Sequence, residues 1–249
     1  MSDKIGREFI QRTKYQFLER SDQDQDLPQP PLELPYDEDA ELLTLPSPAE
    51  IEIPAFDLQQ AIEHRVSVRR YAADPLSLDE LSFLLWSTQG VKEVSRRPVT
   101  MRTVPSAGAR HAFETYLLIN RVTGVEPGLY RYLAIEHKLL PLSQAEDLPD
   151  RLTHACWRQA MVKNSAVTFF WAAVTYRMAW RYGERGYRYL FLDAGHVCQN
   201  LYLAAEGIGC GVCAIAAFDD DELNQILDID GVEQFAVYVA TAGRRIPPK

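Results

Sequence analysis

The 249-residue chain reads as an α+β protein in which helices pack on a mainly antiparallel sheet. Three observations predict that class. Strand-like runs and helical patterns interleave without an internal repeat. One pair of runs is spaced as a hairpin. The composition, 47% hydrophobic and 24% charged, suits one full-sized core.

The elements follow in order. "KIGREFIQRTKYQFLER" spaces Ile5, Phe9 and Ile10 loosely as a helix that docks somewhere. From Ser21 to Glu63 there are twelve Asp or Glu and no Lys or Arg, and seven of the fifteen prolines fall in this region. That composition predicts an extended arm, wrapped on its own domain or on a partner subunit. The expected division is 1–54 for helix and arm and 55–249 for the domain.

"DLQQAIEHRVS" reads as a helix capped by Asp57, with Ile62 and Val66 on one stripe. "LSLDELSFLLWSTQG" is a second helix, with Ser77 and Glu80 forming a capping box and Gly90 stopping it. After a turn-rich passage come a strand "FETYLLIN", a hairpin "GLYRYLAIEHKLLPL" and a buried strand "AVTFFWAAVTY". "YRYLFLDAGHVCQNLYLAAEGIG" is a long helix apolar almost all round, which predicts a central position or a subunit interface. A strand "CGVCAIAAF", a capped helix "DDDELNQIL" and a strand "FAVYVATAGR" end the chain.

Several function classes are excluded. No apolar run approaches the roughly 18 residues of a membrane span, and "MSDKIGREFI" has no signal-peptide core, so a cytoplasmic protein without a membrane partner is expected. The net charge of -9 hides a body of +3 once the arm's -12 is set aside. Such a body could hold a small anion, but it has no nucleic-acid stripe. Four cysteines suit reduced core thiols. Cys210 and Cys213 form a CxxC in a strand-like run, where residues three apart face opposite ways, so no metal site is expected.

Arg65 and Arg69, four apart and flanking Ser67, would share a helix face and suit phosphate oxygens; the plain alternative is a solvated face paired with the acidic arm. "RTVPSAGARH" is small and Gly-containing, so its backbone could approach a ligand, or it is a turn. "MAWRYGERGYRY" combines arginines and tyrosines that suit a planar, partly charged ligand or an oligomer interface. His196, Gln199 and Asn200 read as satisfied core groups of the long helix.

Taken in order, "RVSVRRY", "TVPSAGA", "EPGLYRY", "RYGERGYRYLFLDAGHVCQNLYLAA", "IGCGVCAIAAFDDDELNQIL" and "AGRR" resemble the FMN-dependent nitroreductase family, and within it the SagB-type thiazoline and oxazoline dehydrogenases. The resemblance runs from about Asp57 to Arg245. It implies a nitroreductase-like fold with the long helix in a homodimer interface. It also implies FMN as cofactor, with Arg65, Ser67 and Arg69 on its phosphate and polar ring edge, and Arg244 as a further basic position. Pro105, Ser106, Ala107 and Gly108 match a loop that reaches the flavin of the other subunit. Ala214, Ile215 and Ala216 match the segment along the isoalloxazine, with the Ala216 N–H near N5.

In the azoline dehydrogenases a Lys-Tyr pair assists proton removal. Here the pair is Arg181 and Tyr182. Arginine stays protonated, which leaves Tyr182 as acid/base with Arg181 as its electrostatic partner. The implied function is a hydride-transferring FMN oxidoreductase acting on a small molecule or a modified peptide. The alternatives are an NAD(P)H-dependent nitro or quinone reductase, and a flavin-fold accessory subunit without turnover.

Overall fold

The computed structural model describes residues 4–96 and 99–247; the first three residues of the expected helix-and-arm segment 1–54 lie outside them. Helix α1 (Ile5–Arg12) opens the chain, and the arm runs from it to a two-residue strand, β1 (Leu43–Thr44). Next come α2 (Leu58–His64), α3 (Leu78–Gln89), the hairpin β2 (Val91–Val94) and β3 (Thr100–Arg102), then β4 (Phe113–Ile119), β5 (Gly128–Leu133) and β6 (Lys138–Ser143). Short helices α4 (Leu148–Ala155) and α5 (Met161–Asn164) lead to β7 (Val167–Val174), which passes directly into α6 (Thr175–Tyr182). The long α7 (Gly186–Gly207), β8 (Cys210–Ile215), α8 (Asp220–Ile226) and β9 (Gln234–Arg244) complete it.

Seven strands form one sheet in the order β1-β6-β5-β4-β7-β9-β8, every pair antiparallel. Alternation across β4 and β7 sends Leu117, Ile119, Phe169 and Trp171 into a core shared with α3 and α7. Tyr116, Leu118, Phe170 and Ala172 enter a second core under α4, α5 and α8. A sheet buried on both faces explains why β7 is apolar without polar alternation. Cys210 belongs to the first core and Cys213 to the second, so the two thiols face opposite sides of the sheet.

Four sequence expectations change. The helix expected to run through Arg65 stops at His64, because Arg65 is extended (φ -59°, ψ 128°) and the chain beyond it joins the sheet edge. Val68 N–H donates to Val212 O at 2.9 Å and Ala72 N–H to Arg244 O at 3.0 Å. The contact needs Gly211, since a Cβ there would lie 2.4 Å from Val68. Ile62 and Val66 are consequently exposed rather than forming a buried stripe. Helix α6 went unseen because its buried face carries Thr175 and Arg177 beside Met178 and Trp180, which hides the apolar period. His196 and Gln199 lie on the exposed face of α7 rather than in the core, while Asn200, half-buried, gives its amide to Ser87 O at 2.9 Å.

The arm lies along its own domain. Leu34 N–H donates to Glu114 Oε1 at 2.9 Å, Arg131 donates to the carbonyls of Leu34 and Pro35 at 3.0 Å each, and β1 pairs with β6. Glu114 also pairs with Arg177 at 2.6 Å, both side chains almost wholly buried.

Candidate functional site

Two groups of the singled-out residues emerge. The first lies where the extended stretch after α2 meets the edge strand β8. In an extended chain, alternate residues share a side, so Ser67 projects together with Arg65 and Arg69, whereas on a helix the two arginines alone would have shared a face. The Arg65 guanidinium sits 5.3 Å from the Tyr202 ring centroid. The Tyr202 hydroxyl lies 3.1 Å from Ser67 Oγ and accepts the Ala214 N–H at 2.9 Å. Arg69 is exposed and joins no ion pair among the described residues. Ile215 is buried at the last β8–β9 pairing, and Ala216 lies exposed beyond it.

Two guanidinium groups and a hydroxyl on one side, with open backbone beyond the strand end, form a donor set that fits a phosphate and the polar edge of a flat ring. Among the described residues none of these side chains forms an ion pair with a carboxylate of the arm, the plain alternative for Arg65 and Arg69.

Arg244 is differently placed. Its guanidinium gives two bonds to the Glu80 carboxylate, at 2.6 and 2.7 Å, and one to Ile208 O at 2.7 Å. It therefore ties the end of β9 to the capping-box residue of α3. Arg245 is paired with Glu206.

The second group surrounds the loop from Pro105 to Gly108. Ser106 Oγ accepts the His111 N–H at 2.9 Å, and the Ala107 N–H reaches Asp193 Oδ1 at 3.4 Å. Asp193 is 5% exposed with its Oδ2 unpartnered, and burial pushes its carboxyl above the usual range. Gly108 holds φ +57°, and a Cβ there would lie 2.5 Å from the Tyr182 hydroxyl and 3.0 Å from Arg181 Cδ and Nε. The Arg181 guanidinium carbon is 5.6 Å from the Tyr182 ring centroid, and the Tyr182 ring meets Tyr189 edge-on at 4.8 Å. Arg110 donates Nε–H to Gly108 O at 3.1 Å while lying 5.4 Å over Trp180. Burial, then Arg102 and Arg110, depress His111 to about 3, so it is a neutral ring at ordinary pH.

Asp193 and Tyr202 stand nine residues apart on α7, roughly 14 Å at 1.5 Å per residue, and each marks one group. Sequence reading missed Tyr202, Asp193 and Arg110, whereas Tyr189 closes the arginine–tyrosine run singled out above. The available signal was a polar or aromatic residue interrupting an aliphatic helix, but burial alone explains such residues as well. All four cysteines are free and buried, with burial pushing Cys156, Cys198 and Cys210 to about 12. No group of three or more His, Cys, Asp or Glu among the described residues could hold a metal ion.

Comparison with known proteins gives the family. A Methanocaldococcus jannaschii protein assigned to the nitroreductases, MJ1384, is 34% identical over 200 residues, 79% of this chain and 97% of that one. The trifolitoxin-processing protein TfxB of Rhizobium leguminosarum bv. trifolii is 28% identical over 163 residues, 62% of this chain, and the match spans 44% of TfxB. A crystal structure assigned to a nitroreductase of Anabaena variabilis superposes with a TM-score of 0.65 at 29% identity, covering 76% of this chain and 38% of that one. The Nitroreductase family model matches residues 62–244, from α2 through the last strand, and so takes in both residue groups: the chain belongs to the nitroreductase family.

Proposed function

We propose that the protein is a homodimeric FMN oxidoreductase, and most specifically a SagB-type dehydrogenase that oxidises a thiazoline or oxazoline in a modified peptide. One observation carries this reading. The anion-suited group at the β8 edge and the group around the Pro105–Gly108 loop are separate in one chain, their α7 markers Tyr202 and Asp193 standing roughly 14 Å apart along the helix. Two copies facing each other across α7 would let one subunit's loop and Tyr182 meet the other's Arg65, Ser67 and Arg69. The exposed apolar side chains Phe191 (57%) and Leu192 (60%) on α7 favour that assembly.

Arg65, Ser67 and Arg69 would hold the phosphate, and the backbone from Ala214 to Ala216 would face the ring. Bound FMN supplies hydride exchange at N5. Tyr182 moves the substrate proton, and the adjacent permanently charged Arg181 stabilises negative charge that develops there. The bidentate tie to Glu80 makes Arg244 a brace for the phosphate side rather than a free donor.

A nitro or quinone reductase fed by NAD(P)H is the second reading. It is favoured by arginine at position 181, which cannot act as a base, and by the nitroreductase assignment of the relative matched along 97% of its length. An anaerobic titration separates the two. Yellow protein that NADH or NADPH does not bleach, but that turns over azoline peptides, supports the dehydrogenase. Rapid bleaching with turnover only of nitro or quinone acceptors refutes it.

A further inference from the structure

The end of α1 and the arm that follows it, from Ile10 to Pro31, run beside the part of the chain that carries Arg181 and Tyr182. On α6, Tyr176 donates to Asp22 at 2.9 Å, Arg177 Nε to Pro31 O at 2.8 Å and Trp180 Nε1 to Leu27 O at 3.0 Å. At the start of α7, Arg185 donates to Thr13 O at 2.7 Å and Arg188 Nε to Thr13 Oγ1 at 2.6 Å, while a further Arg188 bond reaches Ile10 O. The Tyr15 and Tyr189 hydroxyls lie 3.0 Å apart, and the Arg185 guanidinium covers the Tyr15 ring at 4.1 Å.

Two routes lead from these contacts to Tyr182. Tyr15 holds Tyr189, whose ring abuts Tyr182 edge-on at 4.8 Å. Leu27 O holds Trp180, on which Arg110 lies, and Arg110 holds the carbonyl of Gly108, the residue facing the Tyr182 hydroxyl. The ring is therefore supported on two sides by groups that the arm fixes.

We propose that the N-terminal arm is a built-in buttress of the reaction site, and that Tyr15, Tyr189, Trp180 and Arg110 are positioning residues that set the place of Tyr182. The proposal rests on the reading of Tyr182 as the proton-moving group only for its catalytic consequence. The positional claim stands independently. It also assigns the arm a role within its own chain instead of that of a docking appendage.

The test uses full-length protein. Tyr15 is 69% exposed, so Tyr15→Ala removes the link to Tyr189 and the Arg185 stacking without opening a core cavity. Ile5→Ala, at a 77% exposed position, serves as the control. Protein labelled with 3-fluorotyrosine, with the Tyr182 resonance assigned by its loss in Tyr182→Phe, reports the ring directly. Tyr15→Ala is expected to shift or broaden that resonance and Ile5→Ala to leave it unchanged. In turnover, Tyr15→Ala is expected to lower kcat about tenfold at unchanged KM and flavin content, a displacement effect. It should add nothing in a Tyr182→Phe background.

A Tyr182 resonance unmoved by Tyr15→Ala overturns the buttress. So does a kcat loss of equal size with and without the Tyr182 hydroxyl. A resonance that moves while Tyr182→Phe leaves every reaction unchanged upholds the buttress and refutes the proton-transfer role of Tyr182.

Discussion

Replacing Gly108 with alanine is the sharpest test of the Tyr182 group. The left-handed backbone there (φ +57°) costs an L-residue roughly 1–2 kcal/mol, and melting should fall by about 2–4 °C for each kcal/mol in a chain of this size. The added Cβ would sit 2.5 Å from the Tyr182 hydroxyl, against an ordinary contact of 3.4 Å or more, so one of them must yield by roughly 1 Å. The hydroxyl is the far end of a side chain, whereas the loop backbone is tied through Ala107 to Asp193 and through the Gly108 carbonyl to Arg110. Tyrosine therefore moves, and a displacement of that size is worth about a hundredfold in rate where the hydroxyl handles a proton. The expected outcome is a folded protein, slightly less thermostable, with unchanged flavin content and azoline kcat reduced about a hundredfold. The assays are differential scanning calorimetry and peptide oxidation by mass spectrometry, with nitro-acceptor reduction in parallel. An unchanged azoline kcat in a protein destabilised as expected would refute the argument that Tyr182 works from where it stands.

Tyr202→Phe leaves the Ala214 N–H without its acceptor and Ser67 without its hydroxyl partner; a loss of about 1–3 kcal/mol in stability and weaker flavin binding are expected, read by denaturant melts and fluorescence titration. Burial, then the nearby Glu114 and Glu136, raise Glu33 from 4.5 to about 7, so between those pH values the native state keeps a proton that the unfolded chain has released. Stability should accordingly fall as pH rises through that window, and Glu33→Gln, whose amide oxygen can still accept the Ala134 N–H, should flatten the curve in calorimetry. Leu192→Arg places a charge on the exposed apolar face of α7 and is expected to give a monomer that loses flavin, as judged by sedimentation and visible absorbance. Because the arm is held by hydrogen bonds, mostly to its main-chain carbonyls, and none of its carboxylates joins an ion pair among the described residues, its protection from protease should hardly change from roughly 0.1 M to 1 M salt.

The fold was legible wherever one physical pattern dominates. The capping box at Ser77 and Glu80, the Asp219 cap of α8, the hairpin of β5 and β6 and the long α7 all stand where local chemistry puts them. It failed where burial of charge erased the pattern. Helix α6 buries Arg177 against Glu114, a pairing across 63 positions of sequence that no local window contains. The stretch after His64 keeps helical spacing of its arginines, yet Val68 finds a sheet edge that only tertiary structure supplies.

The candidate site shows the same division. Local sequence supplied Arg65, Ser67 and Arg69 as an anion-suited cluster even though the reason given for their common side, a helix, was not the one the fold uses. What could not be read locally is how the acidic arm meets a basic body. Charge counting suggests carboxylates against guanidinium groups, but the arm docks mostly through main-chain carbonyls of Leu27, Pro31, Leu34 and Pro35, which receive Trp180, Arg177 and Arg131. An extended, proline-rich segment leaves its carbonyls unpaired by any helix or sheet, and proline contributes an acceptor with no donor. Such a strand asks its surroundings for donors, and arginine has five with no acceptor of its own. The prolines thus match the arm to donors on α6 and β5, which leaves most of its carboxylates at the surface and makes the arm's composition a statement about hydrogen-bond valence more than about charge.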